Sequence, residues 1–145
     1  MILPDVNVLV YAHHEQSKDH EKFRDWWERA VNAPGGFGIT DQILAGFVRV
    51  VTHPKIFTPP MGLPEASAAV DAIRSRPNAV PVVPGIRHWD LFSDLCVAAG
   101  AKGNAVPDAF LAALAIESGS ELFTADRGFA RYSGLRWRHP LDLGR

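Results

Sequence analysis

Cysteine is almost missing from this chain: Cys96 is the only one among 145 residues. A single thiol excludes an internal disulfide framework and any multi-cysteine zinc site, and it suits a reducing compartment. No apolar run approaches the roughly 18 residues that a membrane-spanning helix needs, and the N-terminus lacks the charged start and cleavage site of a signal peptide. The expectation is a soluble, cytoplasmic domain with no membrane contact. An excess of charge is also missing, since 15 basic side chains face 16 acidic ones for a formal net charge of -1. Global attraction therefore cannot draw the chain to a polyanion, and any such site must come from local patterning.

What is present is enough apolar material for one ordinary core: 47% of the residues are hydrophobic, and a chain of this length falls within the roughly 100–200 residues of one domain. A single domain over 1–145 is expected, without linkers, repeats or low-complexity tracts. Most acids alternate with bases, as Glu15, Asp19, Glu21, Asp25 and Glu28 do with Lys18, Lys22, Arg24 and Arg29, and read as a solvated helix face. Four aspartates differ. Asp5, Asp41, Asp108 and Asp126 lie inside the apolar stretches I-L-P-D-V-N-V-L-V, G-I-T-D-Q-I-L-A, A-V-P-D-A-F-L-A-A-L-A and L-F-T-A-D-R-G-F. A carboxylate in a low-dielectric setting is costly unless it is paired, hydrogen-bonded or bound to a cation.

The bases are uneven too. Arginine supplies 11 of the 15, and Arg127, Arg131, Arg136 and Arg138 follow one another with no acid between them. Arginine binds phosphate bidentately and stacks on bases, so this segment is a candidate RNA contact, with a solvated surface as the plain alternative.

Hydrophobic spacing orders the elements. Met1–Val10 reads as a buried strand ending near Asp5, and 17–31 as a helix capped by Ser17. Thr40 caps a second helix that stops before His53-Pro54. Pro64 opens a third helix over 65–75, and Pro81 confines the strand at 79–83 to a sheet edge. Helices follow over 89–99, closed by Gly100, and from an Asn104 cap to about Ser118. Glu121–Thr124 reads as a buried strand and Leu135–Trp137 as a last one. Strands alternating with helices predict an α/β fold of three layers, a short parallel sheet between helices.

In such folds ligands gather outside the carboxyl ends of the strands. Asp5 and Asp126 follow strands and Asp108 lies in the first turn of a helix, so one sheet edge can receive all three. Oxygen ligands without histidine or cysteine partners suit a hard ion, Mg²⁺ or Mn²⁺. Such an ion supports phosphodiester hydrolysis by acidifying a bound water and neutralising charge on the phosphate. Each residue also has a plain reading: Asp5 as a strand-end turn, Asp108 as a helix-start acid and Asp126 as a cap of the next short helix. Asp41 beside Thr40 reads first as a helix-start residue, and Asn104 as a cap that can also orient a ligand.

Nearly the whole chain resembles the PIN-domain ribonucleases, specifically the VapC-type toxins of bacterial toxin–antitoxin pairs. L-P-D-V-N-V-L-V-Y-A is similar to the family's first motif, which implies Asp5 as its first acidic metal ligand with Asn7 beside it. G-N-A-V-P-D-A-F-L-A-A-L-A-I-E resembles the third motif, with Asp108 in the metal-binding position. T-A-D-R-G-F resembles the fourth and adds Asp126, with Thr124 and Arg127 close by. F-V-R-V-V-T-H-P is similar to a stretch common in actinobacterial-looking members, and it adds specificity to the match without adding chemistry. The resemblance implies a Mg²⁺-dependent endoribonuclease toxin that hydrolyses RNA with a metal-activated water. It also implies a homodimer neutralised by a cognate antitoxin, whose arginine or similar cation would enter the acidic site.

One departure stands out. The family carries a glutamate just ahead of the F-V-R segment, and here L-A-G-F-V-R places Gly46 there. Either Asp41 reaches the site from one turn earlier, or three carboxylates suffice, or catalysis is impaired. Mg²⁺ needs few direct protein ligands, which favours a working three-aspartate site. A catalytically weak or inactive module that binds RNA or antitoxin is the alternative.

Two further chemistries are weaker. The six histidines are scattered rather than set on one face, against metal-free acid–base cleavage. A phosphatase of the haloacid dehalogenase type wants a second acid where Asn7 stands, and a late lysine for which only Lys102 is near. Trp26, Trp27 and Trp89 read as core or interface, Trp137 as a stacking candidate and Cys96 as a small buried hydrophobe.

Overall fold

Leu3 and Leu122, both fully buried, are register partners in neighbouring parallel strands, and the rest of the sheet grows outward from that pair. The computed structural model describes residues 1–142, so the last positions of the expected 1–145 domain lie outside the described residues. Five strands, β1 (Ile2–Pro4), β2 (Phe37–Ile39), β3 (Ala79–Pro81), β4 (Glu121–Phe123) and β5 (Trp137–Arg138), form one sheet in the order β3-β2-β1-β4-β5. Every pairing is parallel. Among the described residues six α-helices flank it: α1 (Val6–His13), α2 (His20–Asn32), α3 (Asp41–Val51), α4 (Leu63–Arg74), α5 (His88–Ala99) and α6 (Ala105–Glu117). The α/β architecture expected from the alternation is present, and Pro81 sits on an edge strand because it has no N–H to give to a second neighbour.

The strand order positions the site. From β1 the chain moves outward through β2 to β3, then crosses back to β4 on the other side of β1 and continues to β5. The connections leaving β1 and β4 thus diverge, and a crevice opens at the carboxyl ends of these two strands, where open parallel sheets bind ligands. Asp5 follows β1 and Thr124 follows β4 at that point.

Several boundaries differ from expectation. The strand read over Met1–Val10 ends at Pro4, and Val6–His13 is helical. The Asp5 carboxylate accepts the Val6 N–H at 2.7 Å and starts α1, while Val8, Leu9, Val10 and Ala12 are all buried. A continuous apolar run cannot by its period distinguish a buried strand from a buried helix. Helix α2 begins at His20 after Asp19, whose φ of 57° breaks the chain direction, so Ser17 does not cap it. Strand β2 falls just after Gly35-Gly36, in a stretch to which the sequence pattern assigns no element. It is three residues long, too short for alternation to register. Gly38 belongs there because a Cβ would stand 2.9 Å from a Val82 methyl and 3.0 Å from Leu3. The last strand is Trp137–Arg138, slightly later than expected. Thr40 does cap α3, accepting the Ile43 N–H at 3.2 Å. Asn104 precedes α6 but makes no side-chain capping bond.

One core of buried side chains runs through the sheet and helices, including Trp26 and Trp27. Trp89 is exposed on α5, Trp137 packs partly against the core and Cys96 is half-buried. Among the described residues no helix is long and apolar enough to cross a membrane.

Candidate active site

Asp5 is buried at the end of β1 with both oxygens engaged. Oδ1 accepts the Val6 N–H and Oδ2 accepts the Thr124 hydroxyl at 2.7 Å. Thr124 is fully buried and its Oγ1 also accepts the Asp126 N–H at 3.0 Å. One hydroxyl therefore ties the acid after β1 to the acid after β4. Asp126 in turn accepts the Gly128 N–H at 2.8 Å and caps the short 3-10 helix Arg127–Arg131. The plain readings of Asp5 and Asp126 as capping residues thus hold alongside any further role, because each carboxylate oxygen has more than one lone pair.

Asp108 sits half-buried in the first turn of α6, and among the described residues nothing donates a hydrogen bond to its carboxylate. Burial, reinforced by the negative charges of Asp5 and Asp126 and only partly opposed by Arg131, pushes its pKa up to about 6. Asp5 is raised mainly by burial, with the Thr124 and Val6 hydrogen bonds pulling the other way and Asp126 adding repulsion. The acids feel one another, as clustered carboxylates must.

Asp5, Asp108 and Asp126 line one cavity of about 430 Å³ together with Asn7, Asn104, Gln42, Gly46 and Arg49. Among the described residues no three acids, histidines or cysteines close into a ready-made metal cage. The carboxylates share a wall instead. That fits Mg²⁺, which takes one or two carboxylates directly and keeps much of its water, and it fits the raised Asp108 pKa, which a cation would reverse. Gln42 adds an acceptor: its Nε2 donates to the Pro107 carbonyl at 3.2 Å, while its buried Oε1 has no hydrogen-bond partner among the described residues.

Asp41 does not join this group. It is exposed at the start of α3 and lines a separate depression with Arg74, Val83 and Pro84, so its place one turn before Gly46 does not bring it to the other acids. Gly46 does line the cavity, and a Cβ there would come within 2.8 Å of a Val6 methyl. Glycine thus lets α3 lie close against the start of α1. Gln42 and Arg49 were missed as cavity residues because on an amphipathic helix their spacing looks like ordinary solvated surface. The F-V-R stretch was the available signal for Arg49.

The arginine segment is less free than its sequence suggests. Arg127 makes two contacts to Asp142, Nη1 to Oδ2 at 2.9 Å and Nη2 to Oδ1 at 3.3 Å. Arg138 lies 3.2 Å from Glu121. Arg131 donates to the Gly128 carbonyl and lies over the Tyr132 ring, and Arg136 donates to the Gly119 carbonyl. Folding brings acids from outside the segment to two of its four members. The histidines serve packing: His13 donates to the Leu9 carbonyl between Trp27 and Phe47, His14 stacks on Phe57, and His88 is buried against Phe110. None lines the acidic cavity.

The PIN-domain family model matches residues 2–135. Ribonuclease VapC43 of Mycobacterium tuberculosis is 47% identical over 142 residues, covering 98% of this chain and 97% of the relative. Ribonuclease VapC25 of the same organism is 37% identical over 140 residues, covering 97% and 99%. Among solved structures, M. tuberculosis VapC20, described as a Sarcin-Ricin loop cleaving toxin, matches with a TM-score of 0.70 at 14% identity over 94% of this chain and 99% of that one. VapBC2 from Rickettsia felis, bound to a promoter DNA fragment, matches at 0.67 and 19% identity over 96% and 98%. At such identities the structures share the fold, whereas the sequence matches carry the kinship. The chain therefore belongs to the PIN-domain family and, within it, to the VapC ribonucleases.

Proposed function

We propose that this protein is a Mg²⁺-dependent endoribonuclease, Mn²⁺ being an alternative ion, and the toxin of a VapBC-like pair. The observation that carries the reading is the meeting of Asp5, Asp108 and Asp126 in one cavity from three separate segments, with burial and the two neighbouring acids pushing the Asp108 pKa up to about 6. These three would hold the cation. When bound, it supplies positive charge that neutralises phosphate oxygens and makes an attacking water more acidic. The protein's own part is positioning. Thr124 fixes Asp5 and the Asp126 backbone N–H, while the Asp108 carboxylate, which accepts no hydrogen bond among the described residues, can turn toward a cation. Asn7 and Asn104 offer polar groups at the cavity wall.

Partners follow the same reading. Structural neighbours named VapBC2 and VapBC-1, together with kinship to the VapC ribonucleases, support a cognate antitoxin here, and the acidic cavity would accept its arginine. Exposed Ile86, Trp89 and Val97 on and beside α5 support a homodimer, and a cytoplasmic location suits an RNA substrate.

Purified protein freed of any antitoxin, incubated with total RNA, tests the activity. Cleavage is expected with Mg²⁺ or Mn²⁺ and not with EDTA, and Asp5→Ala and Asp108→Ala are expected to abolish it. Absence of metal-dependent cleavage by the unaltered chain would overturn the enzyme reading and leave a binding module, as Gly46 suggests.

A further inference from the structure

We infer that Arg49, rather than the C-terminal arginine segment, is the residue that holds the substrate phosphate beside the carboxylates. This rests on the reading of the cavity as a nuclease site. Helix α3 presents Gln42, Gly46 and Arg49 to that cavity, a spacing of four and three that keeps them on one helical face. The other walls carry three aspartates, and among the described residues Arg49 is the only lysine or arginine lining the space. Arg49 is exposed, and among the described residues its guanidinium has neither an ion pair nor a hydrogen bond to a side chain or carbonyl.

That freedom distinguishes it. Arg127 and Arg138 are committed to Asp142 and Glu121, Arg136 to a backbone carbonyl, and Arg131 to another carbonyl and an aromatic face. A phosphate would have to displace those contacts, whereas Arg49 offers its planar donor fork without loss. The helix beneath it is fixed. Gln42 bonds across to Pro107 in the first turn of α6, one residue before Asp108, so the arginine's helix and a carboxylate's helix are pinned together. Gly46, between Gln42 and Arg49 on that face, adds no side chain to the space and no negative charge to repel the strand. A polyanion approaching three carboxylates needs a compensating cation from the protein as well as from the metal, and α3 supplies one at the rim. The F-V-R stretch thereby gains a chemical role.

The test is binding of a short fluorescent single-stranded RNA of mixed sequence, read by anisotropy with the full chain. An Asp108→Asn background keeps the strand intact, and Arg49→Ala and Arg49→Gln are compared with Arg49→Lys. Loss of one phosphate contact is expected to weaken binding about tenfold and to make the salt dependence shallower by about one unit of slope. Arg49→Lys should recover part of the affinity, while Arg127→Ala and Arg138→Ala should change it by less than about twofold. In the cleaving protein the loss should fall on KM rather than kcat, with the Mg²⁺ concentration for half-maximal activity unchanged. Unchanged affinity and slope in Arg49→Ala and Arg49→Gln would overturn the inference, as would an equal loss in Arg127→Ala and Arg138→Ala, or a change confined to Mg²⁺ requirement. If the unaltered chain neither binds nor cleaves RNA with Mg²⁺, the nuclease reading falls and this inference with it. If it cleaves and Arg49→Ala cleaves equally well, only this inference falls.

Discussion

Thr124 connects two acids without touching solvent, donating to Asp5 and accepting from the Asp126 backbone. Thr124→Val keeps its shape but leaves the Asp126 N–H without its acceptor and Asp5 Oδ2 without its donor. We expect a loss of about 1–3 kcal/mol in urea unfolding and a fall of about 10–100-fold in RNA cleavage, with Thr124→Ser restoring most of both. Asp108 gives a second expectation. Its folded pKa, raised from the ordinary carboxylate range to about 6, means that the folded state binds this proton more tightly than the unfolded state. Below the unfolded pKa both states are protonated and there is no penalty; as pH rises through the folded pKa, stability is lost. In EDTA, Asp108→Asn should therefore raise Tm at neutral pH, and the gain should vanish under acid conditions below the unfolded pKa. An equal gain at every pH would exclude carboxylate repulsion as its cause. Asp5, Asp108 and Asp126 were legible in the sequence because each acid interrupts an apolar run. Asp41 does so as well, and only the turn of α3 separates it from the others. The local sequence cannot distinguish the two cases, since each shows the same acid among the same neighbours.

At the scale of elements, the contact between α1 and α3 turns on Gly46. Alanine there would add helix propensity of about 0.8–1.0 kcal/mol, but its Cβ would stand 2.8 Å from a Val6 methyl. Val6 is β-branched and has little rotamer freedom in a helix, so it cannot swing aside cheaply. Overpacking of this kind costs about 1–3 kcal/mol. Gly46→Ala is expected to lower stability on balance, and Val6→Ala in the same chain should recover the loss, which a double-mutant cycle of urea unfolding measures. The glycine that reads as a missing ligand is thus also a packing residue. Elements that announce themselves chemically were legible: the Thr40 cap, the Pro81 edge strand and the Gly100 stop. The boundary between β1 and α1 was not, because Asp5 starts a helix inside one unbroken apolar stretch. Strand β2 escaped for another reason, since its identity comes from its partners β1 and β3 rather than from its own three residues.

Across the whole molecule, near-neutral charge conceals a separation of sign. Three carboxylates meet at the crevice between β1 and β4, while the four arginines of the C-terminal segment do not line that cavity and are engaged with Asp142, Glu121 and backbone carbonyls. Strand order makes that crevice, and strand order is a property of long-range pairing that no local pattern encodes. The acids come from the start of α1, the start of α6 and the turn after β4, so a cation held among them would join the two ends of the chain. Binding to the folded state alone adds about 2.7 kcal/mol when the ion is at a hundred times its Kd. For a chain of this size that corresponds to a Tm rise on the order of 5–10 °C. We expect Mg²⁺ to give such a rise and EDTA to remove it. Asp108→Asn, already relieved of repulsion, should start from a higher Tm and gain less. Asp41→Asn, away from the cavity, should respond like the unaltered chain. Equal Mg²⁺ responses in all three proteins would show that the ion does not bind among these acids, whatever RNA cleavage is observed.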